Sequence, residues 1–383
     1  MATNSKIEWC EATWNPVTGC SAVSPGCTHC YAATMSRRLE GMGQEKYTGI
    51  NGPHHFNGTI KLHHDLLEIP IRRRKPTTYF VNSMSDLFHE GVSPEFILDV
   101  FSVMRYCHWH QFIVLTKRSK RMSEILTGPD VPDEVNDNIY VEQMAEDVLS
   151  ARGEFDPNER RKGDIRSLGF TWPLANVCLG VSAENQEQFD ARVPHLLATP
   201  AAVWMVSCEP LLGPINFAKV HPNGFTRDDL RGTQGFTSES TIRKHDGYPK
   251  LDWVIVGGES GPGARPMHPD WARSIRDQCV AAGVPFFFKQ WGAWHPSCDY
   301  YDDTQERENA LDGKHILLTD DGYEWVVGDP TKRDQRHDGQ PPDGTYVMHH
   351  YGKKAGRLLD GREWNERPKL WEAMDPRRDG TTA

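Results

Sequence analysis

Residues 11–31 read EATWNPVTGCSAVSPGCTHCY, and they join an apolar run to a loop that contains three cysteines. The run over 11–17 predicts a β-strand because it holds β-branched and aromatic residues. Cys20, Cys27 and Cys30 follow it within eleven residues, whereas the other six of the nine cysteines are dispersed along the chain. We therefore expect these three thiols to lie together at the end of the first strand.

Six further apolar runs recur along the chain, most of them at intervals long enough to hold a helix. Their hydrophobicity is continuous rather than alternating, as is typical of parallel strands covered on both faces. The predicted strands are 78–82, 111–116, 176–181, 202–206, 253–256 and 285–288. Two connections show helical spacing of apolar residues. These predict a helix over 93–107 that Ser93 caps and a helix over 269–282 that Gly283 ends.

The repeated strand and helix units predict an α/β protein built as a partial or near-complete (β/α) TIM-like barrel. A doubly wound open sheet would more often show a Gly-rich first turn, which is absent here. Two polar segments, at about 127–172 and 221–250, interrupt the rhythm and are expected to be loop insertions. We assign the barrel to residues 1–295 and a small C-terminal β extension to residues 296–383.

Composition limits the classes of function. The chain has 383 residues, of which 38% are hydrophobic and 25% charged, as in a globular protein. Its net charge of −10 excludes a global positive field for polyanions, so contact with nucleic acid requires a local basic patch. No apolar run approaches the ~20 residues that span a bilayer, and the first residues lack an apolar signal region. We therefore expect a cytoplasmic protein without membrane contact.

Three neighbouring cysteines indicate a metal centre. Structural zinc normally has four protein ligands, and the chain has no second Cys-x-x-Cys pair to complete such a site. A [4Fe-4S] cluster commonly has four Cys ligands, so three would leave one iron open to a substrate or cofactor. Zinc completed by His29 or by a distant histidine is the alternative.

The sequence resembles the radical S-adenosylmethionine (SAM) superfamily, whose signature places three cysteines after the first barrel strand and an aromatic residue before the last. Here His29 takes the aromatic position, and six residues rather than three separate Cys20 from Cys27. More specifically, the chain resembles the phage Gp37/Gp68 (DUF5131) family. The matching segments are IEW (7–9), TWNPVTGC (13–20), SPGC (24–27), NSMSDLF (82–88), LTKR (115–118), EPL (209–211), GGES (257–260), KQWG (289–292) and the tail 352–362. Cys10 stands where this family has Thr, so we exclude it as a ligand.

The resemblance implies that Cys20, Cys27 and Cys30 bind one [4Fe-4S] cluster and that SAM chelates its open iron. Reductive cleavage of SAM would then give a 5′-deoxyadenosyl radical that abstracts hydrogen from a substrate. The residues expected at the cofactor follow predicted strands, where a β/α barrel assembles its chemistry. They are Ser83, Ser85 and Asp86 for the methionyl amine, Ser182, Glu184 and Ser207 for ribose or substrate, and Gly257, Gly258 and Glu259 for adenine or an anionic group. A helix N-cap is the alternative for Asp86.

Glu209 and Lys289 also follow strands, and we predict that they act in catalysis. Lys117 and Arg118 could bind a carboxylate or phosphate, or they could belong to a solvated charge run. With Lys289 and the insertion residues Arg160, Arg161, Lys162, Arg227 and Arg231, they suggest a nucleic acid or nucleotide as substrate. The cluster would need a reductant such as flavodoxin or ferredoxin. The competing function is that of a non-enzymatic, zinc-stabilised nucleic-acid-binding or adaptor protein of mobile elements.

Overall fold

A single parallel sheet organises the chain. The computed structural model describes residues 5, 7–152, 172–220, 225–238, 241–296, 314–319, 322–327, 346–352 and 355–373. The seven strands of the sheet are β1 (Ala12–Trp14), β2 (Thr78–Val81), β3 (Gln111–Thr116), β4 (Val177–Ser182), β5 (Val203–Cys208), β6 (Trp253–Gly257) and β7 (Phe286–Gln290). Each pairs in parallel with the next in the sequence, and β1 and β7 are the two edges. The sheet is therefore an open half-barrel rather than a closed TIM barrel.

The described helices are α1 (Tyr31–Gly41), α2 (Glu68–Arg72), α3 (Pro94–Tyr106), α4 (Ser119–Leu126), α5 (Val131–Asn136), α6 (Ile139–Ser150), α7 (Gln186–Ala198), α8 (Pro269–Ala282) and α9 (Lys369–Ala373). Both helices predicted by apolar spacing are confirmed. The Ser93 hydroxyl accepts a hydrogen bond from the Phe96 amide at the start of α3, and Gly283 adopts φ +67° after α8. No helix in the described ranges is long and apolar enough to cross a membrane.

The two faces of the sheet are covered differently. Alternate strand residues such as Val114 and Val206 pack with the apolar faces of α3, α7 and α8 in the main hydrophobic core. The opposite face, which includes Ile113 and Met205, packs instead against Trp9 and Trp371. The Trp371 carbonyl accepts a hydrogen bond of 2.7 Å from the Gln111 side chain. A layer of helices on one face, with the concave face filled by side chains, is the arrangement of a β/α barrel rather than a doubly wound sheet.

The segment after β7 has two parts. Four antiparallel strands form a small sheet: Trp294–Pro296, Lys314–Thr319, Gly322–Val327 and Tyr346–His350. Residues 355–373 then return to the half-barrel. There the Phe288 amide donates to the Trp364 carbonyl, and Phe287 forms an isolated antiparallel β-bridge with Asn365. The tail predicted as an appended β extension thus also helps to fill the concave face of the barrel.

Three elements differ from the sequence-based prediction. The first strand ends at Trp14, and Val17–Thr18 pairs separately with Lys61–Leu62. The segment predicted as an insertion at 127–172 begins with α5 and α6, whose valines and alanine join the main core, so this part belongs to the helix layer. Its remainder, 153–171, lies outside the described residues. The insertion at 221–250 forms an antiparallel sheet with the strands Ala218–Val220, Phe225–Asp228, Thr233–Ser238 and Thr241–Asp246.

Candidate functional site

The cysteine loop, residues 19–30, follows the short strand Val17–Thr18 and passes along the carboxyl edge of the sheet, the edge at which β1–β7 end. Gly19 starts it with φ +92°, and a Cβ there would lie 2.0 Å from the Thr59 carbonyl oxygen, so only glycine fits. The loop contains a 3₁₀ turn, Pro25–Cys27, and Cys30 directly precedes α1. Cys20, Cys27 and Cys30 are free thiols of intermediate exposure.

Glu184, just after β4, holds the middle of this loop. Its fully buried carboxylate accepts a hydrogen bond of 2.9 Å from the Gly26 amide and forms ion pairs with Lys117 (3.4 Å) and Arg192 (2.9 Å). Burial acts to raise the pKa of Glu184, but the charge of Lys117, together with Ser24, Arg192 and the Gly26 amide, holds it at about 2. Glu184 is therefore ionised and fixes the loop to β3, β4 and α7.

Glu259, after β6, holds the loop from the other side. It accepts hydrogen bonds from the Arg265 guanidinium (2.6 and 2.9 Å), the Arg265 amide (2.8 Å) and His29 Nδ1 (2.9 Å). The Arg265 Nη2 also donates to the Pro25 carbonyl. Burial opposes ionisation of Glu259, but these donors lower its pKa. His29 thus binds Glu259 in this structure, which is a role that its place in the cysteine signature did not predict.

Asp86 joins the end of β2 to the end of β3. It accepts four hydrogen bonds, from the Thr116 hydroxyl (2.7 Å), the amides of Phe88 and Lys117, and Arg118 Nη1 (3.1 Å). No helix begins at Asp86, so it is not a helix N-cap. Its oxygens are engaged by protein donors, and its clearest task is to position Arg118.

Ser83 and Ser85 lie beside Asp86 and fix the loop between β1 and the cysteines. The Ser83 hydroxyl donates to Asn15 Oδ1 (3.1 Å), and the Ser85 hydroxyl donates to the Val17 carbonyl (2.8 Å). The Ser83 carbonyl accepts a hydrogen bond of 2.6 Å from the hydroxyl of Tyr31, the first residue of α1. These contacts bring the predicted amine-binding residues next to the start of α1.

A second group of predicted residues lies at the ends of β5, β6 and β7. Glu209 pairs with Lys289 Nζ at 2.9 Å and accepts a hydrogen bond of 3.0 Å from Ser207. A Cβ on Gly257 would lie 2.5 Å from the Glu209 carboxylate, and one on Gly258 would lie 2.0 Å from the Trp291 carbonyl oxygen. The absent glycine side chains therefore make room for protein atoms. Burial opposes the charge of Lys289, but Glu209 raises its pKa and keeps it protonated.

The predicted metal ligands lie near one another on one loop, close enough for their thiols to interact electrostatically. Burial, the negative charge of Asp86 and the neighbouring Cys30 and Cys27 raise the pKa of Cys20 to about 12, although the charge of Arg118 acts to lower it. Cys20 Sγ contacts the Ser21 carbonyl at 3.5 Å, and Cys27 Sγ contacts the Ser24 hydroxyl at 3.9 Å. Across the described residues, no group of three or more His, Cys, Asp or Glu side chains is arranged to hold a metal ion. Three free thiols on one loop fit an iron-sulfur centre in the chemistry of their donor atoms.

Several cations suggested for a nucleic-acid channel are paired with carboxylates. Lys117 binds Glu184, Arg118 binds Asp86, Arg227 binds Asp229 and Arg231 binds Asp228. Arg160, Arg161 and Lys162 lie outside the described residues. Arg192 and Arg265 were not predicted as site residues, because nothing in their local sequence marks them and only the fold brings them to Glu184 and Glu259.

The fold and the site define an α/β half-barrel protein with a cysteine loop held across the carboxyl edge of its sheet. The chain belongs to the protein family of unknown function DUF5131, whose model matches residues 4–368. No curated protein matches the sequence.

Two solved structures of spore photoproduct lyase are similar to this chain. The first, complexed with dinucleoside spore photoproduct, has a TM-score of 0.31 and 10% identity, and the match covers 82% of this chain and 74% of that chain. The second is a double mutant with bound AdoMet and dinucleoside spore photoproduct, with a TM-score of 0.30, 11% identity and coverage of 74% and 75%.

Proposed function

We propose that this protein is a radical SAM enzyme in which Cys20, Cys27 and Cys30 hold a [4Fe-4S] cluster. One observation carries the proposal. The loop that contains Cys20, Cys27 and Cys30 is fastened across the carboxyl edge of a parallel half-barrel by side chains that follow β2, β3, β4 and β6. That edge is where β/α barrels assemble their chemistry. Buried charged side chains hold the loop there, and the loss of one partner of such a pair is strongly destabilising, so the position of the three cysteines is fixed.

In this proposal, the cluster with SAM supplies the electron transfer and the radical, and the protein supplies binding and orientation. We assign Asp86, Glu184 and Glu259 to positioning the cysteine loop, because their oxygens accept several hydrogen bonds from protein groups. Ser83 and Ser85 would act near the methionyl amine, and Ser182 and Ser207 near the ribose. The backbone of Gly257 and Gly258 would face the adenine.

Glu209 and Lys289 are the proposed catalytic pair. Ser207 and Lys289 both bind the Glu209 carboxylate, and about a quarter of the Lys289 side chain is accessible. A protonated lysine that a carboxylate holds in place can bind an anionic substrate group or transfer a proton to it. We further propose that the substrate is a nucleic acid or nucleotide, supported by the partly exposed cations Lys117, Arg265 and Lys289 at the carboxyl edge.

Anaerobic reconstitution tests the proposal. We expect about four iron and four sulfide per chain, a brown colour and slow formation of 5′-deoxyadenosine from SAM after reduction by dithionite. Cys20→Ser, Cys27→Ser and Cys30→Ser should each lose the colour. Cys10→Ser is the matched control, since Cys10 is a buried free thiol outside the loop, and it should retain the colour.

The outcomes separate the proposal from its competitor. A colourless protein that binds zinc and no iron would indicate the zinc-stabilised binding or adaptor function. Loss of colour in Cys10→Ser equal to that in Cys20→Ser would refute the ligand assignment. If the cluster is loaded and reduced but no 5′-deoxyadenosine is formed, the remaining function of the cluster is electron transfer or structural support.

A further inference from the structure

Among the described residues, Arg118 is the cation that contacts Cys20. It is the second residue after β3. Its Nη1 lies 3.8 Å from Cys20 Sγ, within the range of an N–H···S hydrogen bond. The guanidinium is buried, and its other donors bind the loop and β2. Nη2 donates to the Ser21 carbonyl and hydroxyl, Nη1 to Asp86 Oδ2, and Nε to Glu90.

These contacts engage all five N–H groups of the guanidinium. Arg118 therefore has no donor left for a substrate carboxylate or phosphate, which was one function its sequence position suggested. The side chain is also fixed from several directions. Ser21, which accepts from Arg118, accepts from His89 Nε2 as well, because the Gly91 amide donates to His89 Nδ1 and leaves the proton on Nε2. A rigid cation is thus built against one predicted ligand of the cluster.

We propose that Arg118 is a positioning residue that holds Cys20 by an N–H···S hydrogen bond and raises the reduction potential of the cluster. The inference rests on the proposed function, since it requires Cys20 to be a ligand. Hydrogen bonds to the sulfurs are one determinant of the potential of an iron-sulfur cluster. The reduced cluster carries one more negative charge than the oxidised one, so a donor at Cys20 stabilises the reduced state. Asp86 and Glu90 offset the net charge of Arg118, which leaves the hydrogen bond as the main contribution.

The test is a redox titration of the reconstituted protein with dithionite as the electron donor, followed by EPR. Arg118→Gln should lower the ratio of reduced to oxidised cluster about tenfold at a fixed solution potential, which is about 59 mV for a one-electron couple. Arg118→Lys keeps the positive charge but loses the fork of donors, and it should show most of the same shift. The control is Lys120→Gln, which removes a lysine whose side chain is 75% exposed and pairs with Glu124 at 3.8 Å. It should titrate like the wild type.

A second measurement needs no variant. Wild-type protein labelled with ¹⁵N-arginine should show a weak ¹⁵N hyperfine coupling to the reduced cluster. Absence of this coupling would overturn the inference even if the Arg118 variants fail to fold. Unchanged potentials in Arg118→Gln and Arg118→Lys would overturn it while leaving the proposed function intact. Wild-type protein that binds no iron would overturn both, and iron analysis identifies that outcome before any titration.

Discussion

Replacing Glu184 by Gln tests whether a buried carboxylate holds the cysteine loop in place. The substitution keeps an oxygen for the Gly26 amide but removes the charge that faces Lys117 and Arg192. The folded protein holds the pKa of Glu184 at about 2, against an ordinary value of 4.5. At 1.36 kcal/mol per pKa unit, neutralising this group costs roughly 3 kcal/mol at pH 7. Loss of one partner of a buried ion pair is expected to cost a similar amount, about 3–5 kcal/mol.

The sign of the pH dependence follows from the lowered pKa. Glu184 contributes its full stabilisation above pH 4.5, and that contribution is lost as the pH falls through about 2. The difference in unfolding free energy between wild type and Glu184→Gln should therefore decrease from roughly 3 kcal/mol at pH 7 to roughly 2 kcal/mol at pH 3.5. Urea denaturation followed by circular dichroism measures both values.

The matched control is Glu124→Gln, which removes the partner of Lys120 in an exposed pair and should cost at most about 0.5 kcal/mol. Glu184→Gln should also lower the iron content after reconstitution, because the loop loses its central contact. A cost below 1 kcal/mol, or a difference that does not change between pH 7 and 3.5, would refute the assignment of Glu184 as the charged group that fixes the loop.

Gly258→Ala should destabilise the protein by about 3 kcal/mol or more, because the new Cβ would meet the Trp291 carbonyl, whereas Gly41→Ala, with open space around it, should melt like the wild type. Equal thermal melting of the two variants would contradict the close approach of these backbones. If the substrate is a nucleic acid, the affinity for a fluorescent oligonucleotide should fall steeply with salt, and Lys289→Gln should reduce the logarithmic slope by about 0.9. Undetectable binding at low salt would exclude a nucleic acid and leave a nucleotide or another small molecule as the substrate. Arg265→Gln should lower the iron content, since it removes the guanidinium that binds both Glu259 and the Pro25 carbonyl. An unchanged iron content would show that the contacts around Glu184 hold the loop without this guanidinium.

The sequence allowed the parallel sheet to be predicted because its strands are local features. The strands from Gln111–Thr116 to Phe286–Gln290 are short, continuous apolar runs, and their composition is visible without knowledge of their neighbours. The two helices with clear caps were predictable for the same reason. The helices α5 and α6 were missed because acidic residues interrupt their apolar positions, and their apolar faces matter only against the helix layer.

The cysteine loop and the polar residues after each strand were also visible in the sequence, and parallel strands place their ends at one edge. What those residues contact was decided by the tertiary structure. Glu184 meets the Gly26 amide, 158 residues away, and Glu259 meets His29 across 230 residues. A buried carboxylate must find cations or amides wherever the fold brings them, and no local pattern records such distant partners. The sequence therefore determined which groups lie at the carboxyl edge, and the tertiary structure determined that they fasten the cysteine loop.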